Sequence, residues 1–371
     1  MNFSVQFKVR GDDFGGHFIN GISMADSESF WKCKLVSADD EKNVYESSDG
    51  YKITAYHIKK GDVFECYTVF ENYTDSVVTL DMISSFAITD LDFDTLHRAT
   101  SFWSAEGKML SQKLTDLNME RSWSGHGIRI EKFGQVGSMP VRKWFPFVAI
   151  ENSEKNEFIG VQLYIPSSWQ IELFRHKEPL TLLGGLADFD YGHWCKEIKP
   201  NESFTTPKAV VAVGDSLLKV CDMLVKAQQP DISPVDEDLP VIFNEYCTSW
   251  GNPTIENLEK TAKKLQGSGV KYLVMDSGWY KEDGKEWWDT IGDWNVNKSQ
   301  FPDGLKPVCD MIKSYGLIPG IWFEMENVAP LSQIYNETDH LLSRMGTPLN
   351  VAGHRFLDLR DEWCVNYLDE K

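Results

Sequence analysis

The sequence has little of what membrane, disulfide-stabilised and zinc-binding proteins require. Its seven cysteines are scattered and form no C-x-x-C pair, so we expect free thiols in a reducing cytoplasm. The eight histidines form no H-E-x-x-H motif, so we expect no protein-built metal site and no organic cofactor. No apolar run approaches the roughly 18 residues that span a bilayer. Residues 1–10 alternate in polarity and lack the apolar stretch of a signal peptide, so we expect a soluble, cytoplasmic protein.

Positive charge is also scarce. The 371 residues contain 37 Lys and Arg against 56 Asp and Glu, which gives a formal net charge of −19. Such a surface repels phosphate backbones and anionic lipids. We therefore expect neither nucleic acid nor a membrane as a partner.

Short runs of alternating polarity, separated by turn signals, make up the sequence as far as about Asp215. Aromatic and β-branched residues are frequent in these runs, which is typical of antiparallel strands with one buried face. The pattern predicts an N-terminal antiparallel β-sandwich over residues 1–230. The clearest predicted strands are Tyr51–Ile58, Val63–Phe70, Val77–Ile83, Gly160–Ile165, Trp169–Phe174 and Lys208–Val213.

A second pattern begins after a Pro- and Asp-rich stretch, residues 231–240, which we interpret as a linker. Strands then alternate with helices, and Thr254 is the predicted N-cap of the first of these helices. This alternation predicts β/α units around a parallel sheet. The predicted strands are 241–246, 270–276 and 317–326, and the predicted helices are 254–267, 305–315, 330–344 and 361–371.

The length of this second region limits the fold. Residues 241–371 number 131 and hold three β/α units, whereas a closed TIM (β/α)8 barrel needs about 250 residues. We therefore expect residues 241–371 to form an incomplete barrel, its first three β/α units, with the chain stopping before strand four.

Polar and aromatic residues are concentrated at the predicted carboxyl ends of these strands. In a barrel these ends share one face, where active sites lie. Carboxylates accept hydrogen bonds from sugar hydroxyls, and indole rings cover the apolar C–H patches of a sugar, so the mixture favours a carbohydrate site. The three segments are Asn244-Glu-Tyr-Cys-Thr-Ser-Trp250, Asp276-Ser-Gly-Trp279 and Trp322-Phe-Glu-Met-Glu326.

Six short motifs, in the same order over about 200 residues, resemble those of glycoside hydrolase family 36, the melibiase-type α-galactosidases. The resemblance implies a β-sandwich followed by a (β/α)8 barrel, and a carbohydrate as substrate. For the full-length enzyme it leaves a homo-oligomer open. The motifs are Ser167-Ser-Trp-Gln170, Asn201-Glu-Ser-Phe-Thr-Thr-Pro-Lys-Ala209, Asp276-Ser-Gly-Trp279, Gly292-Asp-Trp294 with Phe301-Pro-Asp-Gly-Leu305, Gly320-Ile-Trp-Phe-Glu-Met-Glu326, and Leu357-Asp-Leu359.

The resemblance also implies roles for individual residues. Asp276 would accept hydrogen bonds from galactose hydroxyls in the innermost subsite, and Trp322 would help to wall that pocket. The remaining candidate substrate-binding residues are Ser277, Trp279, Asp293, Trp294, Arg355 and, in the sandwich, Trp103.

One position departs from the family pattern. The family has two adjacent acids where this sequence has Asp276 and Ser277. A neutral hydroxyl is a weaker partner than a carboxylate, because charge-assisted hydrogen bonds are roughly twice as strong as neutral ones. A glycoside of N-acetylgalactosamine or galactosamine is therefore an alternative to a plain galactoside.

The family's catalytic aspartates, a nucleophile on strand four and an acid/base on a later strand, have no counterpart before Lys371. Glu324 and Glu326 would share one side of a strand at positions i and i+2, but the family uses this strand for pocket structure. We therefore assign no catalytic residue, and we expect the 371-residue chain alone not to hydrolyse glycosides, whereas the full-length enzyme would do so with retention.

Three functions remain open from the sequence. The first is a retaining α-galactosidase-like hydrolase that releases terminal α-linked galactose, N-acetylgalactosamine or galactosamine. The second is a non-catalytic carbohydrate-binding protein. The third is a glycosyl-transferring relative of the raffinose synthase type.

Overall fold

The computed structural model describes residues 1–16, 18–121, 127–176, 180–228 and 233–371. Contacts divide the chain into two units, Met1–Pro230 and Asp231–Lys371. Residues 231 and 232 of the expected linker lie outside the described residues. No helix in the described ranges is long and apolar enough to cross a membrane.

The described part of the first unit is built on two antiparallel sheets. Each of the six runs predicted as strands overlaps a strand of these sheets. The seven-stranded sheet contains Asn2–Ser4, Phe7–Val9, Val78–Leu91, Ile128–Gln135, Trp169–His176, Leu180–Leu186 and Lys196–Ile198. The ten-stranded sheet contains Cys33–Ala38, Lys42–Ser47, Tyr51–Lys60, Val63–Asn72, Thr95–Thr100, Lys108–Lys113, Phe147–Asn152, Glu157–Leu163, Ser203–Thr205 and Ala209–Gly214.

The two sheets share one apolar core. Phe86 and Leu173 of the first sheet pack in the same cluster as Val148 and Val211 of the second. The alternation along each strand therefore buries one face of each sheet against the other, as in a β-sandwich. The helical segments of this unit are Glu28–Trp31, Leu114–Leu117, Phe189–Gly192 and Leu217–Ala227.

A buried charged network lies within the seven-stranded sheet. The Lys132 Nζ atom is 3.1 Å from Glu172 Oε2 and 2.7 Å from Asp188 Oδ2, and both carboxylates are inaccessible to solvent. Asp188 also accepts a hydrogen bond from Gln170 Nε2 at 2.9 Å, and the Ser23 hydroxyl donates to Glu172. Burial raises the pKa of Glu172, and the Lys132 charge opposes that rise. The Trp-Gln pair of the Ser167–Gln170 motif thus supports the interior, since Trp169 is also fully buried.

The second unit contains, in its described part, a three-stranded parallel sheet of Val241–Asn244, Val270–Met275 and Ile318–Ile321. Helices Ile255–Leu265 and Lys306–Ser314 connect these strands and bury Leu258 and Ile312 in the core. The first helix begins where Thr254 predicts it, because the Thr254 hydroxyl accepts a hydrogen bond from Asn257 N at 3.2 Å. The remaining helical segments are Pro234–Asp236, Tyr246–Ser249, Trp287–Thr290, Thr338–His340 and Glu362–Asp369, and the short paired strands are Asn327–Val328 with Arg355–Phe356 and Ser343–Arg344 with Thr347–Pro348.

Two predicted elements of the second unit are wrong. The helix expected at 330–344 is replaced by turns, the short helix Thr338–His340 and the strand Ser343–Arg344. The strand expected at 317–326 spans only Ile318–Ile321, and the chain then makes a turn in which Asn327 N donates to the Glu324 carbonyl oxygen at 3.1 Å. Glu324 and Glu326 therefore do not occupy alternate positions of one strand.

Candidate active site

The three parallel strands bring their carboxyl ends to one edge of the sheet. The pairing aligns Asn244 with Val274, and Met275 with Ile321. The ladder continues one residue further, because Trp322 N donates to the Met275 carbonyl oxygen at 3.0 Å. The residues that follow the strands are therefore neighbours in space.

Asp276 lies at the centre of this edge and is half-buried. Its Oδ2 accepts a hydrogen bond from the exposed Asn244 side chain at 2.6 Å, and its Oδ1 accepts one from Ser277 N at 2.7 Å. A carboxylate offers about four acceptor positions, so these two bonds orient Asp276 and leave it able to accept further hydrogen bonds. Such a group suits a ligand rich in hydroxyls.

Glu245, which is not among the site residues predicted from the sequence, binds the backbone of Asp276. Its side chain is buried, and its Oε1 accepts a hydrogen bond from Asp276 N at 3.2 Å. Burial raises the pKa of Glu245, and the charge of Asp276 raises it further. The signal was in the sequence, since both Asn244 and Glu245 stand in the polar segment that follows the first strand.

Trp322 follows the third strand at this same edge, its side chain is half-buried, and neighbouring rings hold it in place. Trp287 and Trp294 meet it edge to face, with ring centroids 6.3 and 6.2 Å away. Trp279 donates from its indole nitrogen to the Trp322 carbonyl oxygen at 3.1 Å. Trp279 and Trp294 are themselves only 2% and 4% exposed. They stabilise the position of Trp322 from the interior, and a direct sugar contact of either stays a prediction.

Ser277 is directed into the interior and is fully buried. The next residue, Gly278, has φ of +96°, and a Cβ atom there would lie 2.1 Å from the Gly251 carbonyl oxygen. This tight crossing of two loops turns the chain immediately after Asp276. The Ser277 hydroxyl has no hydrogen-bond partner among the described residues, and its contact with a ligand stays a prediction.

The other candidates bind protein groups or lie elsewhere. Asp293 accepts hydrogen bonds from Ser332 Oγ at 2.7 Å and from Gln333 N at 3.1 Å. Arg355 donates to the Tyr335 carbonyl oxygen at 2.7 Å and lies over that ring. Trp103 belongs to the first unit, where its side chain is 88% exposed.

Comparison with known proteins finds similarity to α-galactosidases. Residues 203–368 match the family model described as Melibiase. The chain is 24% identical over 323 residues to α-galactosidase Mel36A of Lactobacillus acidophilus, an alignment that covers 81% of this chain and 42% of the relative. Residues 203–368 of this chain therefore form a Melibiase-type region. The chain spans about two fifths of the length of the curated relatives that it matches.

Solved structures of GH36 proteins share the fold of the whole chain. The α-galactosidase AgaA of Geobacillus stearothermophilus matches with a TM-score of 0.75 at 19% identity, over 100% of this chain and 51% of that one. A variant of AgaA in complex with raffinose matches with a TM-score of 0.73 at 18% identity, over 100% and 50% of the two chains. In its described part the chain is mostly β, with several antiparallel sheets and few helices, in agreement with these structures.

Proposed function

We propose that this chain supplies the sugar-binding part of a retaining α-galactosidase-like glycoside hydrolase that acts on terminal α-linked galactose. Residues 241–371 would form the first three β/α units of a (β/α)8 barrel, and residues 1–230 its N-terminal sandwich. The parallel strands, the helices between them and the polar residues at the carboxyl ends support this assignment. The raffinose complex of AgaA supports a galactose-containing oligosaccharide as the ligand class.

One feature carries the proposal: Asn244 orients the half-buried Asp276 carboxylate, and Trp322, also half-buried, follows the neighbouring strand at the same edge of the sheet. A pyranose has hydroxyls for the first group and an apolar C–H face for the second. In galactose the axial hydroxyl leaves one continuous apolar face, which a flat indole can cover.

Titration of the 371-residue chain with sugars, followed by NMR of the tryptophan indole signals, tests this function. We expect galactose to shift these signals and glucose to shift them much less. N-acetylgalactosamine in the same series tests the alternative that the neutral Ser277 suggests. Binding of N-acetylgalactosamine more tightly than galactose would replace the plain galactoside by the amino sugar.

Two variants connect binding to the site. Asp276→Asn should weaken galactose binding by roughly tenfold or more, because it removes the charge that strengthens the hydrogen bonds. Asp303→Asn is the matched control, since Asp303 is an exposed aspartate of the same unit. Unchanged affinity in Asp276→Asn, or no binding of any galactoside by the unaltered chain, would overturn the proposal.

A further inference from the structure

Glu324 follows Trp322 by two residues, and its half-buried carboxyl group is held in place. Its Oε1 accepts a hydrogen bond from Asn327 Nδ2 at 2.9 Å. Burial raises the pKa of Glu324, and this bond lowers it. The bond engages one of the two oxygens, so the other remains available as an acceptor.

Asn327 is in turn fixed by a distant part of the chain. It is 2% exposed and pairs with Phe356 in the short ladder of Asn327–Val328 and Arg355–Phe356. This ladder also brings His354 to it, with 2.7 Å between His354 Nδ1 and Asn327 Oδ1. His354 is 2% exposed and lies 4.1 Å from Trp288, measured between ring centroids. Buried backbone pairing and ring contact thus hold both side chains.

The donor and acceptor atoms of these two hydrogen bonds can be assigned. An ionised carboxylate only accepts, so the Asn327 amide nitrogen must face Glu324 and its oxygen must face His354. That oxygen needs a donor, so the neutral His354 ring carries its proton on Nδ1, and its Nε2 is unprotonated. Burial lowers the pKa of His354, which favours the neutral ring. His354, Asn327 and Glu324 therefore form one hydrogen-bonded series, in which His354 donates to Asn327 and Asn327 donates to Glu324.

The charges of Glu324 and Asp276 both influence the Tyr280 phenol. Tyr280 is buried, and its hydroxyl has no hydrogen-bond partner among the described residues. Burial raises the pKa of this phenol, and the negative charges of Glu324 and Asp276 raise it further. Both carboxylates therefore lie within electrostatic range of the Tyr280 hydroxyl, whereas Ser277 brings no charge. The strand ladder gives the same neighbourhood, since Trp322 N, two residues before Glu324, donates to the carbonyl oxygen of Met275, which precedes Asp276.

We propose that Glu324 is a ligand-contacting residue that provides the second carboxylate beside Asp276, and that Asn327 and His354 are positioning residues that orient it. This inference rests on the proposed function, because it assigns an acceptor for a hydroxyl of the same sugar. It explains how a site with serine at position 277 retains two charged acceptors. The second acceptor comes from the third strand end instead of the second.

The test measures the affinity of the 371-residue chain for methyl α-galactoside and for a series of mono-deoxy analogues, each lacking one hydroxyl. Glu324→Gln should weaken binding of methyl α-galactoside by roughly tenfold, since a neutral acceptor replaces a charged one. For the analogue that lacks the contacted hydroxyl, the variant and the unaltered chain should bind equally. Glu326→Gln, a change of the same type at an exposed position two residues away, should leave all affinities unchanged.

The positioning role of His354 is tested by the affinities of two variants. His354→Asn retains a donor at the position of Nδ1 and should keep the affinity, whereas His354→Leu removes the donor and should resemble Glu324→Gln across the analogue series. Thermal unfolding of each variant shows that it is folded. Equal weakening for every analogue, or unchanged binding in Glu324→Gln, would overturn this inference while the unaltered chain still binds galactosides. Failure of the unaltered chain to bind them contradicts the proposed function, and this inference with it.

Discussion

Replacing Lys132 by methionine removes the ammonium group that lies between two buried carboxylates of the first unit. Methionine fills most of the same volume, so the change isolates the charge. Glu172 and Asp188 would then face each other without a cation, at distances set by the 3.1 and 2.7 Å contacts that each makes with Lys132. Removing one partner from a buried charged group costs about 3–5 kcal/mol.

The assay is thermal unfolding of the first unit, monitored by near-ultraviolet circular dichroism. A loss of that size lowers the midpoint by roughly 6 to 20 °C, since 1 kcal/mol corresponds to about 2–4 °C for a domain of 150–250 residues. Lys108→Met is the control, because Lys108 is exposed on a strand of the other sheet. Its effect should stay within about 0.5 kcal/mol.

The same variant should show a particular pH dependence. The folded-state pKa of Glu172 is raised by burial, and loss of Lys132 raises it further. A carboxyl group with a raised folded pKa favours the folded state most when it is protonated, below its unfolded value of about 4.3, and this contribution is lost as the pH rises through the folded pKa. The difference between variant and unaltered chain should therefore be largest near neutral pH and shrink as the medium is acidified.

A second substitution completes the test. In the Lys132→Met background, Glu172→Gln removes one of the two uncompensated charges and keeps an acceptor for Ser23. We expect it to recover a large part of the lost stability. A Lys132→Met chain that melts like the Lys108→Met chain at neutral pH would refute the assignment of this network as a charged, buried cluster.

Two further predictions concern the turn after Asp276 and the thiols. Gly278→Ala should destabilise the second unit in urea unfolding by several kcal/mol more than Gly284→Ala. Both residues have positive φ, but only at Gly278 would a Cβ atom lie 2.1 Å from a carbonyl oxygen. Equal losses would show that the close crossing is relaxed in solution. In the native chain Cys247 should react with a thiol reagent at neutral pH, because it is exposed. Cys66 should react only after unfolding, because it is buried and burial raises the pKa of its thiol. Rapid labelling of Cys66 in the native chain would contradict the described packing.

Local patterns predicted much of this fold. The alternation along Val63–Asn72 reflects one buried and one half-buried face, and Thr254 caps its helix by accepting a hydrogen bond from Asn257 N, three residues further along. Such features depend on residues close together in the chain, so they can be read from it. The strand ends that gather Asn244 and Asp276 follow from the same reasoning, because parallel strands place their carboxyl ends at one edge.

The errors arose where distant residues decide the conformation. The apolar spacing at 330–344 favours a helix, but Asp293 accepts hydrogen bonds from Ser332 Oγ and Gln333 N and holds the start of this segment in turns. The local pattern predicts a strand as far as Glu326, since the contact between Asn327 and His354, which lies 27 positions further along, leaves no trace in that pattern. The burial of Ser277 likewise depends on the approach of Gly251 to Gly278.

The ladder between Asn327–Val328 and Arg355–Phe356 has a consequence for synthesis of the protein on the ribosome. Asp276 and Asn244 can meet as soon as the first two strands of the second unit have emerged. Asn327, the partner of Glu324, is fixed only after His354 and Phe356 have left the exit tunnel and the loop between Asn327 and His354 has closed. In a nascent chain Asp276 is thus oriented before Glu324 is, because the orientation of Glu324 depends on the slower, longer-range pairing.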